Sequence, residues 1–410
     1  METTVVIDTS ARSAGPGPGP ASGARTSVRT SLRGVVSVAA AVLALGCGRA
    51  ATSPPSEGAA PAELPPPELK TTNGEIANHN FRAELAQAER QHAAQPADLR
   101  RSRALVDRLF ARAQFFGRIA DYDEAETVAK AALSAAPGNG DAHLLRARTL
   151  AALHEFALAR AELDRAAALG AEPDAVEHAR VGIWQATGDI DKALESLRAW
   201  RRARPNLTTY AAEAGALADK HDFPLAASVF TEARRHYDDV SPFAVAWLEF
   251  QEGHMWETAG RSDRARPLFE SALARLPGYA AAAGHLARLV AAFGDPDGLQ
   301  RARALLEPLV AETDDPEYVG QLGGLYRQQQ RVAEGDRLVA QAARGYEALV
   351  ARHPAAFYDH AARFFLHIGG DPQRALGLAQ KNLAIRHTPD ARDLLAEAER
   401  ATMATARLDR

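Results

Sequence analysis

The chain has almost no sulfur chemistry. Cys47 is its one cysteine in 410 residues, so an internal disulfide and a Cys-based zinc site are both excluded. Lysine is scarce too: only Lys70, Lys130, Lys192, Lys220 and Lys381 among 48 basic residues. The other 43 are arginine, a bias that GC-rich bacterial coding produces without any demand for guanidinium chemistry. Aromatics make up 6%, and no apolar run approaches the ~20 residues that span a bilayer. Net charge is −4. Residues 1–46 contribute +2, so the remainder carries −6, which gives no general electrostatic footprint for nucleic acid. Catalytic signatures are missing as well. There is no phosphate loop of the Gly-x-x-x-x-Gly-Lys-Ser/Thr kind, no His-Glu-x-x-His and no Gly-x-Ser-x-Gly elbow. His154-Glu155 has no second His at helical spacing. The composition therefore predicts neither a cofactor nor a metal, and it predicts no enzyme.

What is abundant is alanine and periodicity. Ala125, Ala159 and Ala193 stand 34 residues apart, and Pro137 and Pro205 keep the same beat over two periods. Inside each period, apolar residues recur at spacings of 3 and 4, as in amphipathic helices. Phe110, Ala113 and Phe116 share a face of one helix. Ala120-Asp121-Tyr122-Asp123 is expected to turn the chain. Ala125, Ala129, Ala132 and Leu133 then line a second helix ending at Pro137. The next two periods repeat the scheme with Leu150, Phe156, Ala159 and Leu163, and with Trp184, Gly188, Ala193 and Leu197. Later units drift in phase, around Ala226, Ala265, Ala302, Gly335 and Ala375.

A fixed period of 34 with two helices inside it resembles the tetratricopeptide repeat (TPR). The resemblance covers residues 98–388 and implies an all-α fold: a right-handed superhelical solenoid of about eight TPR-like helix–turn–helix repeats. Its first helices would line a concave groove that binds a protein or peptide. Residues 75–97 are expected to form an N-terminal capping helix and 389–410 a C-terminal one, since terminal units need a polar outer face.

The N-terminus reads as an address. Arg25, Arg29 and Arg33 precede a 13-residue apolar run, Gly34–Gly46, that ends at Cys47. A basic region, a short apolar stretch and small residues at the cut have the layout of a secretory signal over residues 1–46. Ending on Gly46-Cys47, it resembles the lipobox of bacterial lipoproteins, although Ala44 stands where that family usually has Leu. The resemblance implies cleavage before Cys47, lipid on its sulfur, and multiple chains that anchor the protein in a membrane. Gly48 in place of Asp points to the outer membrane, facing the periplasm. A plain cleaved signal and a chance cysteine remain the alternatives. Residues 1–24 are long, Gly/Pro-rich and acidic for such a signal, as an early start would explain, with Val28 as the alternative initiation. Residues 47–74, with Pro54-Pro55 and Pro65-Pro66-Pro67, read as a disordered tether.

Three constellations are candidates for partner binding. Arg112, Arg146 and Arg180 also lie 34 apart and form a ladder. They would either hold an acidic peptide by charge-assisted bonds or pair with neighbouring carboxylates. Trp247, Phe250, His254 and Glu257 share one helix face, as groove anchors or as residues buried in the stack. Phe357, His360, Phe364 and His367 repeat that geometry. The two histidines there are seven residues apart, roughly 10 Å along a helix, too far for one metal ion to bridge. The expected function is an envelope-anchored scaffold or adaptor. A carbohydrate-handling accessory factor and a structural spacer are the rivals.

Overall fold

In a computed structural model the chain is described over residues 69–408, apart from 293. Cys47, the signal segment and most of the tether lie outside the described residues. No described helix is long and apolar enough to cross a membrane.

The described residues form an all-α solenoid. A leading helix, α1 (Gly74–Ala94), is followed by eight hairpins. Their helices are α2 (Leu99–Phe116) with α3 (Ala120–Ala135), and α4 (Gly140–Ala152) with α5 (Phe156–Ala168). Next come α6 (Pro173–Thr187) with α7 (Ile190–Ala203), and α8 (Leu207–Asp219) with α9 (Phe223–Arg235). Then follow α10 (Pro242–Thr258) with α11 (Ser262–Arg275), and α12 (Ala280–Ala291) with α13 (Pro296–Glu312). The last pairs are α14 (Pro316–Gln328) with α15 (Val332–Arg352), and α16 (Pro354–Phe364) with α17 (Pro372–Ile385). A π-helical turn over Phe365–Gly369 extends α16, and α18 (Pro389–Leu408) ends the array. Helix α1 starts at Gly74 because the Asn73 side chain accepts from the N–H groups of Glu75 and Ile76.

The first turn falls earlier than the spacing predicts. Asp121–Asp123 are already helical, and the chain reverses over Gly117–Ile119. The reason is a left-handed residue that closes each first helix. One residue there adopts positive φ, once per hairpin: Gly117, His154, Gly188, His221, Gly260, Gly294, Gln330 and Gly370. In six of these hairpins the next N–H reaches back to a carbonyl one turn earlier, as from Glu155 to Leu150 or from Asp222 to Leu217. Glycine takes this conformation freely. His154 at φ 58°, His221 at 63° and Gln330 at 62° accept a cost of roughly 1–2 kcal/mol each.

The periodic alanines do what close helix crossing requires: Ala125, Ala159 and Ala193 are all 0% exposed. First and second helices differ in how they are covered. In α11 only Ala265, Phe269 and Ala272 are buried, whereas α10 is buried from Pro242 through Gly253 at all but Trp247. The same holds for α12, where all but Arg288 and Ala291 are buried. A helix buried all round needs a second partner besides its stack neighbours.

That partner is the next turn of the superhelix. The turn of the first hairpin meets the link between the sixth and seventh. There the Asp314 carboxylate accepts from Ile119 N–H at 2.6 Å and Ala120 N–H at 3.0 Å. The turn of the second meets the start of α16, with His154 Nδ1 3.2 Å from the Ala355 carbonyl. The turn of the third meets the link to α18, where His387 N–H donates to the Thr187 carbonyl at 3.2 Å. The turn of the fourth meets α18 itself, through His221 Nε2 and Asp390 Oδ1 at 3.0 Å. The first two contacts span 195 and 201 residues and the fourth a shorter 169, so the ribbon closes edge to edge on itself and tightens at its end.

Candidate functional site

Closure divides the wall that the first helices form. Toward the start of the chain it stays open. A groove of about 370 Å³ runs across the beginnings of α2, α4 and α6, lined among others by Asp98, Arg100, Arg103, Asp141, Leu144 and Arg148. The N-caps Asp98 and Asn139 fix two of these helix starts by accepting from backbone N–H groups. Arg148 is locked in place by Asp107 at 2.6 Å, while Arg100 is exposed. The groove thus carries guanidinium and carboxylate groups beside an apolar floor.

Farther along, the wall is enclosed. Phe250 is 0% exposed and packs on Phe269, Tyr279 and His285. Trp247 is half-buried between two cores. Burial pushes His254 down to about 4. Burial would raise Glu257, but Arg288 and then His285 outweigh it and hold the carboxyl well below its usual range. Ligand atoms of His254, Glu257 and His285 lie close enough to share one metal ion. A guanidinium already fills that role: Arg288 Nη2 stands 2.6 Å from Glu257 Oε1 and 2.9 Å from His285 Nδ1. The donor set therefore reads as an ion network rather than a metal centre.

The arginine ladder takes the intramolecular form. Arg112 grips Asp121 with two bonds of 2.6 and 2.8 Å. Arg146 reaches Glu126 at 3.0 Å, and Arg180 reaches Asp164 at 2.9 Å. The latter two tie a first helix to the second helix of the preceding hairpin. Phe357 and Phe364 are buried, the latter 4.9 Å from the Tyr346 ring centroid. His360 and His367 part company. His360 lies 3.9 Å from Glu317, and Asp359 with Glu317 raises it against the effect of burial. His367 lies 3.9 Å from Glu397 on α18 and is pushed down to about 4 by burial and Arg363.

Sequence reasoning missed the residues where turns meet: His154, Asp219, His221, Asp315 and Asp390. A cavity of about 50 Å³ sits there, lined among others by His154, Asp315, Tyr318, Tyr346, Phe357 and His360. Burial drives His154 down to about 3, and its Nε2 has no protein partner. The available signal was a bulky residue at the turn position where neighbouring hairpins carry glycine.

Residues 258–322, the end of α10 to mid-α14, match the family model described as tetratricopeptide repeat. No curated protein sequence matches the chain. Solved structures similar to it include the APC/C hetero-tetramer Cut9–Hcn1, at 19% identity and TM-score 0.42 over 73% of this chain and 55% of that one. This chain therefore spans little more than half of that relative's length. Human IFIT1 with m7Gppp-AAAA matches at 14% identity and TM-score 0.41 over 83% of each chain. A tetratricopeptide repeat protein from Parabacteroides merdae ATCC 43184 matches at 14% identity and TM-score 0.36, over 72% of this chain and 98% of its own. The chain is thus an all-α solenoid whose residues 258–322 match the tetratricopeptide-repeat model.

Proposed function

We propose that this protein is a non-catalytic scaffold that docks a segment of a partner protein in the groove across α2, α4 and α6. The observation that carries this reading is the groove itself. It is open, it is concave, and it joins arginine and aspartate side chains to buried Leu144 and Leu145. A few placed polar groups over an apolar floor suit recognition of a peptide segment. The sequence around Cys47 supports a lipid anchor that would hold the scaffold at the cell envelope, on the outer membrane facing the periplasm.

Two experiments test the two halves. A photo-crosslinking residue in place of Arg103 should capture a partner in living cells, and one in place of Arg165 on the outer face should not. Equal capture at both sites would refute groove docking. Feeding a labelled lipid precursor should mark the native chain and leave Cys47→Ala unmarked. Equal labelling would remove the anchor.

A second reading, a rigid spacer, draws on the edge-to-edge closure, which stiffens the molecule. Glycan handling would call for exposed aromatics, and Phe250, Phe357 and Phe364 are buried.

A further inference from the structure

The seam between turns of the superhelix is held by two different chemistries. At its start it is apolar. Phe115 lies 5.0 Å from both Phe243 and Tyr279, and Phe81 lies 5.6 Å from Phe243, by ring centroids. One core cluster joins α1 to α3 and Leu145 of α4 to α10 through α14, where Tyr318, Leu322 and Leu325 bring in the seventh hairpin. From the second hairpin onward its bonds are polar, beside one small apolar cluster of Leu349, Ala356 and Phe357 on which Ile119 of the first turn packs. The contacts are His154 to the Ala355 carbonyl, His387 N–H to the Thr187 carbonyl, and His221 to Asp390. The cores of the second to fourth hairpins and that of α15 to α18 are separate clusters among the described residues.

His154 and His221 occupy left-handed turn positions that glycine would fill without strain. Each imidazole stacks on a phenylalanine of its own hairpin, Phe156 or Phe223, and reaches from there across the seam. Such placement makes sense for a fastening.

We propose that the eighth hairpin with α18 forms a clasp, shut on the second to fourth hairpins by these polar contacts, whose release swings α18 away from α8 and α10. A solenoid needs no single hinge for this, because small changes at each repeat interface add up. The wall so exposed carries Gln185 bonded to Asp219 at 2.5 Å, together with Gln251 and His254.

Protons are the natural release signal. His221 faces Asp390 and Asp393 from α18 and Asp219 from α8. Its bond to Asp390 raises it above the ordinary imidazole value. A raised histidine lends its full stabilisation below about pH 6.5 and loses it as pH rises through the folded value. Burial pushes Asp219 up to about 7, so it gains charge inside the seam over the same rise. Both effects loosen the clasp on passing from mildly acidic to alkaline pH.

The test is a distance measurement on the full chain carrying Cys47→Ala, with spin labels on Glu195→Cys and Glu399→Cys. One narrow distance is expected at about pH 6 and a second, longer population at about pH 8.5. His221→Gln and Asp390→Asn should show the longer population already at the lower pH. A control pair on Lys130→Cys and Glu195→Cys should hold one distance throughout, which proves the repeats intact. A single unchanged distance in all samples, or opening that ignores both variants, overturns the proposal. The measurement uses no ligand, so its failure and failure of groove docking are distinguishable.

Discussion

Gly188 stands at φ 97°, and a Cβ built on it would lie 2.5 Å from the His387 carbonyl oxygen. Two costs therefore meet in Gly188→Ala: left-handed strain and a backbone clash across the seam. We expect a loss of roughly 2–4 kcal/mol. Gly170 is the matched control, at φ 78° with nothing within 4 Å. Gly170→Ala should cost only the strain, about 1 kcal/mol. Denaturant titration of both variants decides, and equal losses would show that the third turn does not press on His387. His154 and His221 illustrate the opposite choice, in which strain is kept because the side chain reaches a partner.

At the scale of the helix, burial of Ala159 shows how tightly each hairpin closes. Ala159→Trp should lower stability by about 3 kcal/mol through overpacking, read as a drop in the thermal midpoint. An unchanged midpoint would mean that α5 can move away from α4. This part of the fold was legible in the sequence, because the 34-residue beat marks the positions where helices cross. The burial of α10 was half legible. Phe243-Ala-Val-Ala-Trp-Leu-Glu-Phe250 has no polar face, which argues for cover on every side, yet a shared face of Trp247, Phe250 and His254 also fits a groove. The carboxylate partners of Arg112, Arg146 and Arg180 lie 9, 20 and 16 residues away, within reach of pattern reasoning. His221 and Asp390 lie 169 residues apart, and no local period encodes their meeting. It depends on the pitch of the whole array.

The molecule as a whole should respond to pH through groups that closure buries. His154 is held down at about 3, and His254 and His367 at about 4. Their stabilising share is complete above the unfolded value of about 6.5 and is lost as pH falls toward 4. His254→Gln should therefore flatten the acid limb of a midpoint-against-pH curve; an unaltered limb would place the imidazole in water. Asp219 runs the other way. Its raised carboxyl penalises the fold increasingly from about pH 4 to 7, so Asp219→Asn should stabilise at pH 8 and change little at pH 4. Equal effects at both would mean that ionisation is not the cost.

The offset shared by the first three turns also restricts how this chain can change its length. Open arrays of hairpins gain and lose copies freely, since each copy answers only to its neighbours. Here Gly117 must arrive at Thr313, His154 at Ala355 and Gly188 at His387 together. Duplicating or deleting one hairpin between Gly188 and Thr313 would slide all three past their mates in a single event. Copy number inside the round is locked like the teeth of a gear, and only the free ends are left to vary.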